Sequence, residues 1–392
     1  MTRTTEKIPL WLDCDPGMPP IDRRTVHANS SRPRCNPHSS LPARPQLTRL
    51  GCLRDYPRRR APFFQPPRRP SPSLPALPSL ANPPQMSTVH GNAPMSKVTH
   101  NALSILTSIG APNIPVYAGA AKPFMRPAIH APAIHGESGI DGTLLLPVSS
   151  ATIAPGNAIV AMYEALIATP AGTAVLVATG TLTNIALLFA VFPDVVGHIK
   201  HLSIMGGAFG TRPDSHGNIA KEAEFNVFCD PESARSVLNH PELSGKVTLV
   251  PLDLTHTVLA RTEVLDRLQG DGGNLRTMLT ELLVFFTGAY EKAFGRFEGP
   301  PLHDPLAVAV VLGGEELGWE WESVGVSVCC DGEDVGRTVK TVGGEVREAA
   351  LGGHGEEAMC KVRIPVKLDV AAFWEVMLRM VDRVDGRYTW PV

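Results

Sequence analysis

The sequence predicts an α/β protein with an open, mainly parallel β-sheet and helices on both faces. Two observations lead to this fold class. From residue 87 onward, short apolar runs alternate with segments in which apolar residues recur at helical spacing. The first apolar run, residues 8–12, ends in an acidic turn, and ligands of such sheets bind beyond the ends of the strands. Strands that alternate with helices are joined by right-handed crossovers, which make neighbouring strands parallel.

The predicted elements can be given in chain order. The first is a short buried strand at residues 8–12, and the first helix covers residues 96–109, with Ser96 as its N-cap and Gly110 as its stop. The others are strands at residues 114–119, 174–178, 201–205 and 247–252, helices at residues 158–168, 183–192, 231–238, 275–294, 304–312 and 370–384, and strands near Val326 and Val339.

Composition and charge exclude several classes of protein. Apolar residues make up 43% of the 392 residues and charged residues 19%, as in soluble globular chains. The formal net charge of -2 gives no general attraction to nucleic acid or to an anionic membrane, so we expect neither as a partner. The N-terminus has too short an apolar run for a signal peptide. The seven cysteines lack metal-ligand spacing and are interpreted as reduced thiols. We therefore predict a cytoplasmic protein.

One segment does not match the rest of the chain. Residues 18–86 contain 16 prolines and 12 arginines and show no sustained helical or strand period. A segment of this composition cannot bury enough apolar surface to fold, so we predict a disordered insertion. Its arginines are suitable for binding RNA or a partner, but they lack the interleaved aromatic residues that a nucleic-acid platform uses.

Three polar clusters are candidates for a functional site. Asp13 and Asp15 follow the first strand, where one carboxylate can face a cation, although a solvated turn explains the same pattern. His303 and Asp304 begin an apolar helix, where Asp304 is either an N-cap or a metal ligand. In the stretch 223–232, Glu224 and Asn226 alternate with apolar residues and in an extended loop would face one side, while Asp230 and Pro231 fit a helix start.

Together these clusters and several other stretches resemble the inosine/uridine-preferring nucleoside hydrolase family. Any one block is modest evidence, but the blocks are collinear from residue 8 to about residue 312. The matching blocks are DCDPG (13–17), STVHGN (87–92) followed by KVTHNAL, HGESGIDG (135–142), ATGTLTN (178–184), MGGAF (205–209), AEFNVFCDPE (223–232), LDLTH (252–256) and HDPLAV (303–308).

The resemblance implies a calcium-dependent hydrolase of purine or pyrimidine ribonucleosides in nucleoside salvage. It implies one domain over residues 1–392 with a Rossmann-like core, assembled as a homodimer or homotetramer. Asp15 would bind Ca²⁺ and act as general base, with Asp304 and the Thr179 carbonyl as further ligands, and His303 would protonate the departing base. Ribose hydroxyls would be held by Asn92, Asn218, Glu224, Asn226 and Asp304, and His135 and His256 would lie near the base.

The chain departs from the family pattern directly after its first motif. Members of the family continue DCDPG with one residue and then Asp-Asp, which opens a helix, whereas this chain has Pro19 and Pro20. One missing aspartate would be a calcium ligand and the other a ribose partner, and proline supplies neither. We therefore predict impaired activity. We also interpret residues 18–86 as retained intron or out-of-frame sequence that replaces the first crossover helix and the second strand, which would leave one sheet face uncovered.

Alternatives remain open at this stage. A non-catalytic nucleoside-binding or scaffold protein of the same fold would show the same motifs. A phosphatase of the haloacid dehalogenase type also uses DxD after its first strand, but it would leave the AEFN and HDP stretches unused. Four other histidines are interpreted as hydrogen-bonded or solvated side chains rather than ligands; they are His90, His100, His201 and His216.

Overall fold

A computed structural model describes residues 8–16, 85–295, 298–312, 314–341 and 360–390. Contacts between Cα atoms group residues 1–21 with residues 77–392 and place residues 22–76 in a second unit. Every described residue belongs to the first of these units. The predictions made for residues 18–84, including Pro19 and Pro20, lie outside the described residues.

The described residues form a nine-stranded sheet with the order β3-β2-β1-β4-β5-β6-β9-β7-β8. The first seven strands in this order pair in parallel, and β7 pairs antiparallel with both of its neighbours. The strands are β1 (Leu10–Cys14), β2 (Gln85–Thr88), β3 (Val116–Ala118), β4 (Val175–Ala178), β5 (His201–Met205), β6 (Val247–Val250), β7 (Glu320–Val328), β8 (Thr338–Thr341) and β9 (Lys361–Lys367).

Helices connect most of the parallel strands, as the alternating pattern predicts. Among the described helices, none has both the length and the apolar character that a membrane crossing requires. The described helices are α1 (Met95–Ser108), α2 (Pro132–His135), α3 (Ala158–Ile167), α4 (Thr183–Val191), α5 (Asp194–His198), α6 (Phe225–Cys229), α7 (Pro231–Leu238), α8 (Leu252–Thr255), α9 (Thr262–Gln269), α10 (Asn274–Phe294), α11 (Asp304–Leu312) and α12 (Val370–Val384).

Apolar side chains cover both faces of the sheet, because parallel strands are buried on both sides. Neighbouring residues of β4 pack into different apolar clusters. Leu176 belongs to the cluster that also contains Trp11 and Ile185, whereas Val177 belongs to the cluster that contains Leu306 and Phe373. Removing this much apolar surface from water is the main favourable contribution to folding. The α/β fold class predicted from the sequence is thus confirmed.

Several local predictions need correction. The second strand is present: Gln85 and Met86, assigned to the insertion, begin β2 and pair with β1. Helix α1 begins at Met95 after Pro94, so Ser96 lies inside the helix and is not its N-cap. The prediction for residues 247–252 joins two elements, because β6 ends at Val250 and α8 begins at Leu252.

The topology positions the site. Strand β1 lies between β2 and β4 and is parallel to both. Their carboxyl ends therefore meet at one edge of the sheet, where Asp15 follows β1, His90 and Gly91 follow β2, and Thr179 follows β4. This is the edge at which open α/β sheets bind ligands.

Candidate active site

A cavity of about 620 Å³ opens at this edge of the sheet. Its volume lies in the range of small-molecule sites. Of the residues predicted from the sequence, Asp15 and His256 do not line the cavity; those that do are Asn92, His135, Thr179, Asn218, Glu224, Asn226, His303 and Asp304. The structure therefore brings most of the predicted site together in one place.

Asp15 lies directly behind the cavity wall and is held by Asn92. The Asn92 backbone N–H donates to Asp15 Oδ2 over 2.9 Å, and the Asn92 side chain donates to the Asp15 carbonyl over 3.3 Å. The other carboxylate oxygen, Oδ1, is buried and has no hydrogen-bond partner among the described residues. Burial, followed by repulsion from Asp304, raises the pKa of Asp15 well above its usual value.

Asp13 has a structural role that is distinct from that of Asp15. It is fully buried, and its Oδ1 accepts hydrogen bonds from Ser87 over 2.6 Å and from Asn184 over 2.8 Å. The Ser87 hydroxyl in turn accepts from the Trp11 indole over 2.8 Å. Burial raises the pKa of Asp13 to about 7. These bonds join β1, β2 and the start of α4 beneath the site.

Glu224 and Asn226 reach the cavity from a helix start and not from an extended loop, which corrects the prediction. Glu224 is the N-cap of α6, and its carboxylate accepts from the backbone N–H groups of Asn226, Val227 and Gly207. Asn226 lies in the first turn of α6 and donates to the Thr179 carbonyl over 3.2 Å. Asp230 is the N-cap of α7, in agreement with the interpretation of Asp230 and Pro231 as a helix start.

Asp304 adds a second carboxylate close to Asp15. It is the first residue of α11 and accepts a hydrogen bond from the Thr179 side chain. Removal from bulk water raises the pKa of Asp304 to about 7 in spite of this bond, and repulsion from Glu224 adds to the shift. Several carboxylates thus crowd one small volume, and each opposes the ionisation of the others.

The donors at this position are of the kind that a hard cation prefers. In the described part of the chain, Asp15 Oδ1 has no hydrogen-bond partner, Asp304 accepts from the Thr179 side chain, and the Thr179 carbonyl accepts from Asn226. Among the described ranges, no three His, Cys, Asp or Glu side chains are placed to hold a metal ion. Two carboxylates and a carbonyl fit Ca²⁺ in chemistry, while the remaining positions of its usual six to eight would fall to water or to hydroxyl groups.

His303, the residue before Asp304, lies next to the buried rings of His256 and Tyr290. Its Nε2 shares a hydrogen bond of 2.6 Å with the Tyr290 hydroxyl, and its Nδ1 shares one of 2.8 Å with the Thr255 hydroxyl. Burial and the neighbouring histidines lower the pKa of His303 well below its usual value, so the ring is neutral at pH 7. A proton that His303 gives to a ligand would therefore come from the N–H of a neutral ring.

His256 lies behind His303. It is 4% exposed, and the centroids of the two rings are 5.6 Å apart. Its Nδ1 makes a hydrogen bond of 2.6 Å with the Asp214 carbonyl. The prediction places His256 near the base pocket; in the structure His256 does not line the cavity itself, but its ring lies next to that of His303, which does.

His135, at the end of α2, also lines the cavity. Its ring meets Phe286 edge to face, with centroids 5.0 Å apart. Burial lowers the pKa of His135 to about 4, so this ring is also neutral at pH 7. Both rings are thus available to a heterocyclic ligand as neutral partners.

The motifs in the sequence do not point to three further residues near the cavity, Tyr290, Thr255 and Phe286. Tyr290 is 3% exposed and hydrogen-bonds both His303 and the Asn218 side chain. The sequence carries one pattern that includes two of these residues. Phe286, Tyr290 and Phe294 recur at intervals of four residues in α10 and so share one face of the helix. That pattern is also typical of ordinary core packing, so it carries little information by itself.

Comparisons with known proteins agree with this geometry. The family described as Inosine-uridine preferring nucleoside hydrolase matches residues 81–375. The chain is 34% identical over 320 residues to the Uridine nucleosidase of Saccharomyces cerevisiae, covering 81% of this chain and 79% of the relative. It is 33% identical over 299 residues to the Inosine-uridine preferring nucleoside hydrolase of Leishmania major, covering 76% of this chain and 88% of the relative.

A solved structure gives the same result for the fold. The Purine-Preferring Ribonucleoside Hydrolase from Gardnerella vaginalis superposes with a TM-score of 0.65 at 25% sequence identity, covering 78% of this chain and 92% of that one. Sequence, fold and site therefore agree, and the chain belongs to the inosine-uridine preferring nucleoside hydrolase family, whose members are hydrolases that act on N-glycosyl bonds.

Proposed function

We propose that this chain hydrolyses the N-glycosidic bond of purine or pyrimidine ribonucleosides to free base and ribose. The observation that carries the proposal is the cavity, whose lining combines carboxylates and amides with neutral imidazoles. In the reaction the bond from the ribose C1′ to the base nitrogen breaks, a water oxygen bonds to C1′, and a proton passes to the base. The ribose becomes positively charged in the transition state, which nearby carboxylates stabilise.

Asp15 is the residue best placed to accept the proton of the attacking water. It is hydrogen-bonded to the cavity-lining Asn92, its Oδ1 has no partner among the described residues, and its raised pKa makes it a stronger base than a solvent-exposed aspartate. We propose Asp15, Asp304 and the Thr179 carbonyl as ligands of Ca²⁺. When bound, the ion would lower the pKa of water in the site and offset the repulsion between the carboxylates.

The carboxylate and amide side chains that line the cavity would hold the ribose hydroxyls. Carboxylates accept hydrogen bonds and amides both donate and accept, a combination suited to vicinal hydroxyl groups. Glu224 is fixed by three backbone N–H groups, and Asn218 accepts from the Phe225 N–H over 2.8 Å, so both side chains are preorganised. We assign this role to Asn92, Asn218, Glu224, Asn226 and Asp304.

The leaving base would lie between His303 and His135. Because His303 is neutral, the proton that it passes to the base would have to be replaced, and Tyr290, hydrogen-bonded to its Nε2, is placed to relay the replacement. The proton that Asp15 removes from the attacking water balances the proton gained by the base. His256 would act from behind His303, where its bond to the Asp214 carbonyl fixes the orientation of its ring. These neutral rings can serve purines and pyrimidines alike.

We further propose that activity is impaired, that the protein is cytoplasmic, and that it forms a homodimer or homotetramer. Impairment follows from Pro19 and Pro20, which supply neither the metal ligand nor the ribose partner expected at those positions. The same loss favours a second candidate function, a non-catalytic nucleoside-binding protein. Comparison of the mature transcript with the gene tests whether residues 18–86 are retained intron or out-of-frame sequence.

The proposed function is tested by ribose release from inosine and from uridine, with Ca²⁺ and with a chelator. We expect slow release that requires Ca²⁺, because the remaining ligands are fewer than usual. Release that persists in the chelator would contradict the role of calcium. No release from a folded chain that still binds nucleoside would favour the binding protein over the enzyme.

The crowded carboxylates also predict an unusual pH dependence of stability for Asp304→Asn. A folded-state pKa of about 7 lies above the unfolded value of 3.8, so the stability that Asp304 contributes is lost as the pH rises from about 4 to about 7. In chelator at pH 8, removal of this charge should raise Tm by about 2–5 °C, and the gain should shrink at pH 5. Ca²⁺ should stabilise the unaltered chain more than the variant.

The exposed Asp271, in the turn between α9 and α10, provides the matched control. Asp271→Asn makes the same chemical change at an exposed position, so its Tm should follow that of the unaltered chain at both pH values. A Tm of Asp304→Asn at or below that of the unaltered chain at pH 8 in chelator would show that the carboxylate cluster is not strained.

A further inference from the structure

Two glycine-containing turns enclose the Asp15 carboxylate. The β2 turn (residues 89–92) follows β2, and the β4 turn (residues 179–183) follows β4, on either side of β1. A Cβ atom on Gly91 would lie 2.0 Å from Asp15 Oδ2, and one on Gly180 would lie 3.0 Å from Asp15 Cγ. The orientation of the Asp15 carboxylate therefore depends on where these two turns lie.

The side chain of His90 joins the two turns. His90 is fully buried, and its Nε2 lies 2.9 Å from Thr183 Oγ1 and 3.2 Å from Thr181 Oγ1. Thr181 also donates to the His90 carbonyl over 2.9 Å. The bonds of one histidine thus cross the end of β1 and connect the β2 turn to the β4 turn.

The direction of these hydrogen bonds follows from Asp230. The Thr183 hydroxyl donates to Asp230 Oδ2 over 2.5 Å, so its oxygen is left to accept from the N–H at Nε2 of His90. Asp230 is anchored in turn by Ser233 and by the backbone N–H of Phe124. The His90–Thr183–Asp230 relay therefore has one consistent set of donors and acceptors.

Other bonds hold the remaining backbone groups of the β2 turn. His130 Nδ1 lies 2.9 Å from the Gly91 carbonyl, and the Ala131 N–H donates to the Asn92 carbonyl over 3.1 Å. The Asn92 N–H is then directed at Asp15 Oδ2. A turn fixed at several points keeps this N–H in place, which preorganises the carboxylate for its reaction.

We propose that His90, acting through Thr183 and Asp230, is a positioning residue that locks the two turns around the Asp15 carboxylate. The proposal rests on the proposed function only for its effect on ribose release, whereas the locking of the turns is a property of the fold. His90 does not line the cavity and makes no contact with a nucleoside in this role. Its effect on catalysis passes through the orientation of Asp15.

The experiment compares His90→Leu, which cannot hydrogen-bond, with His90→Gln, whose amide N–H can still donate to Thr183. Hydrogen exchange of the two turns is measured together with kcat and KM for inosine. In His90→Leu we expect faster exchange in residues 89–92 and 179–183 alone and a kcat lower by about 10-fold to 100-fold, with KM within about twofold. His90→Gln should recover most of both effects.

Thr183→Val and Thr183→Ser form a second pair in case the leucine variant fails to fold. Thr183→Ser keeps the hydroxyl, so only the valine variant should reproduce the loss. His100→Leu, on α1 and outside both turns, is the matched control and should leave exchange in the turns unchanged.

The outcomes separate this proposal from the proposed function. Unchanged exchange in both turns in His90→Leu and Thr183→Val would overturn the positioning role, whether or not ribose is released. Faster exchange that is restricted to the turns, with rescue by His90→Gln, would support it. If the unaltered chain releases no ribose, the proposed function fails, and hydrogen exchange alone decides the role of His90.

Discussion

A chain in which residues 18–84 are replaced by a helix that carries Asp-Asp at its start is expected to release ribose at least about 100-fold faster than the chain as it stands. The two aspartates would restore a calcium ligand and a ribose partner next to Asp15. Stabilisation of the transition state by such groups amounts to several kcal/mol, and each 1.4 kcal/mol changes the rate about tenfold. The measurement is kcat/KM for inosine and uridine at saturating Ca²⁺.

The matched control carries the same replacement with Asn-Asn in place of Asp-Asp. It restores the helix but not the negative charges, and we expect it to bind Ca²⁺ weakly and to remain slow. Equal rates for the two versions would assign the defect to the missing helix and not to the missing carboxylates. Full activity of the unaltered chain would show that Pro19 and Pro20 do not impair it.

The second large effect is expected for Asp15→Asn. The asparagine keeps an oxygen that can accept from the Asn92 N–H, but it cannot take a proton from water or offer a charged ligand to Ca²⁺. Loss of a general base lowers rates by about 10² to 10⁴-fold, so we expect kcat to fall by about 10³-fold or more. The test uses whichever version of the chain releases ribose fastest, with Asp271→Asn as the control. A variant that retains a tenth of the activity would remove Asp15 from the proton transfer.

The sequence predicts this fold well where the elements are long and regular. The helices at residues 158–168, 231–238 and 370–384 agree with α3, α7 and α12 to within a residue at each end. Strand β9 was missed, since the alternation of Lys361–Lys367 contains Pro365, which normally argues against a strand. Pro365 is tolerated because it lies beyond Val362 and Arg363, the residues by which β9 pairs with β6.

Short motifs in the sequence point to Glu224, Asn226 and Asp304, each of which lines the cavity. No motif shows that Asp15 and His256 lie next to cavity-lining residues without lining the cavity themselves, because this depends on how the elements around them pack. The neutral state of His303 likewise follows from burial, which a sequence does not display.

The pairing of β1 has a consequence for how such a chain persists in a cell. Strand β1 keeps its register with β2 and with β4, although residues 15–84 separate it from β2 along the chain. Each doubling of the length of a flexible connection costs only about 0.6 kcal/mol, so this pairing is compatible with a long connection between β1 and β2. Quality control by chaperones and proteases responds to unfolding and not to lost chemistry. Abundance and activity can therefore change independently at this position, which makes it a place where new sequence can enter and be retained.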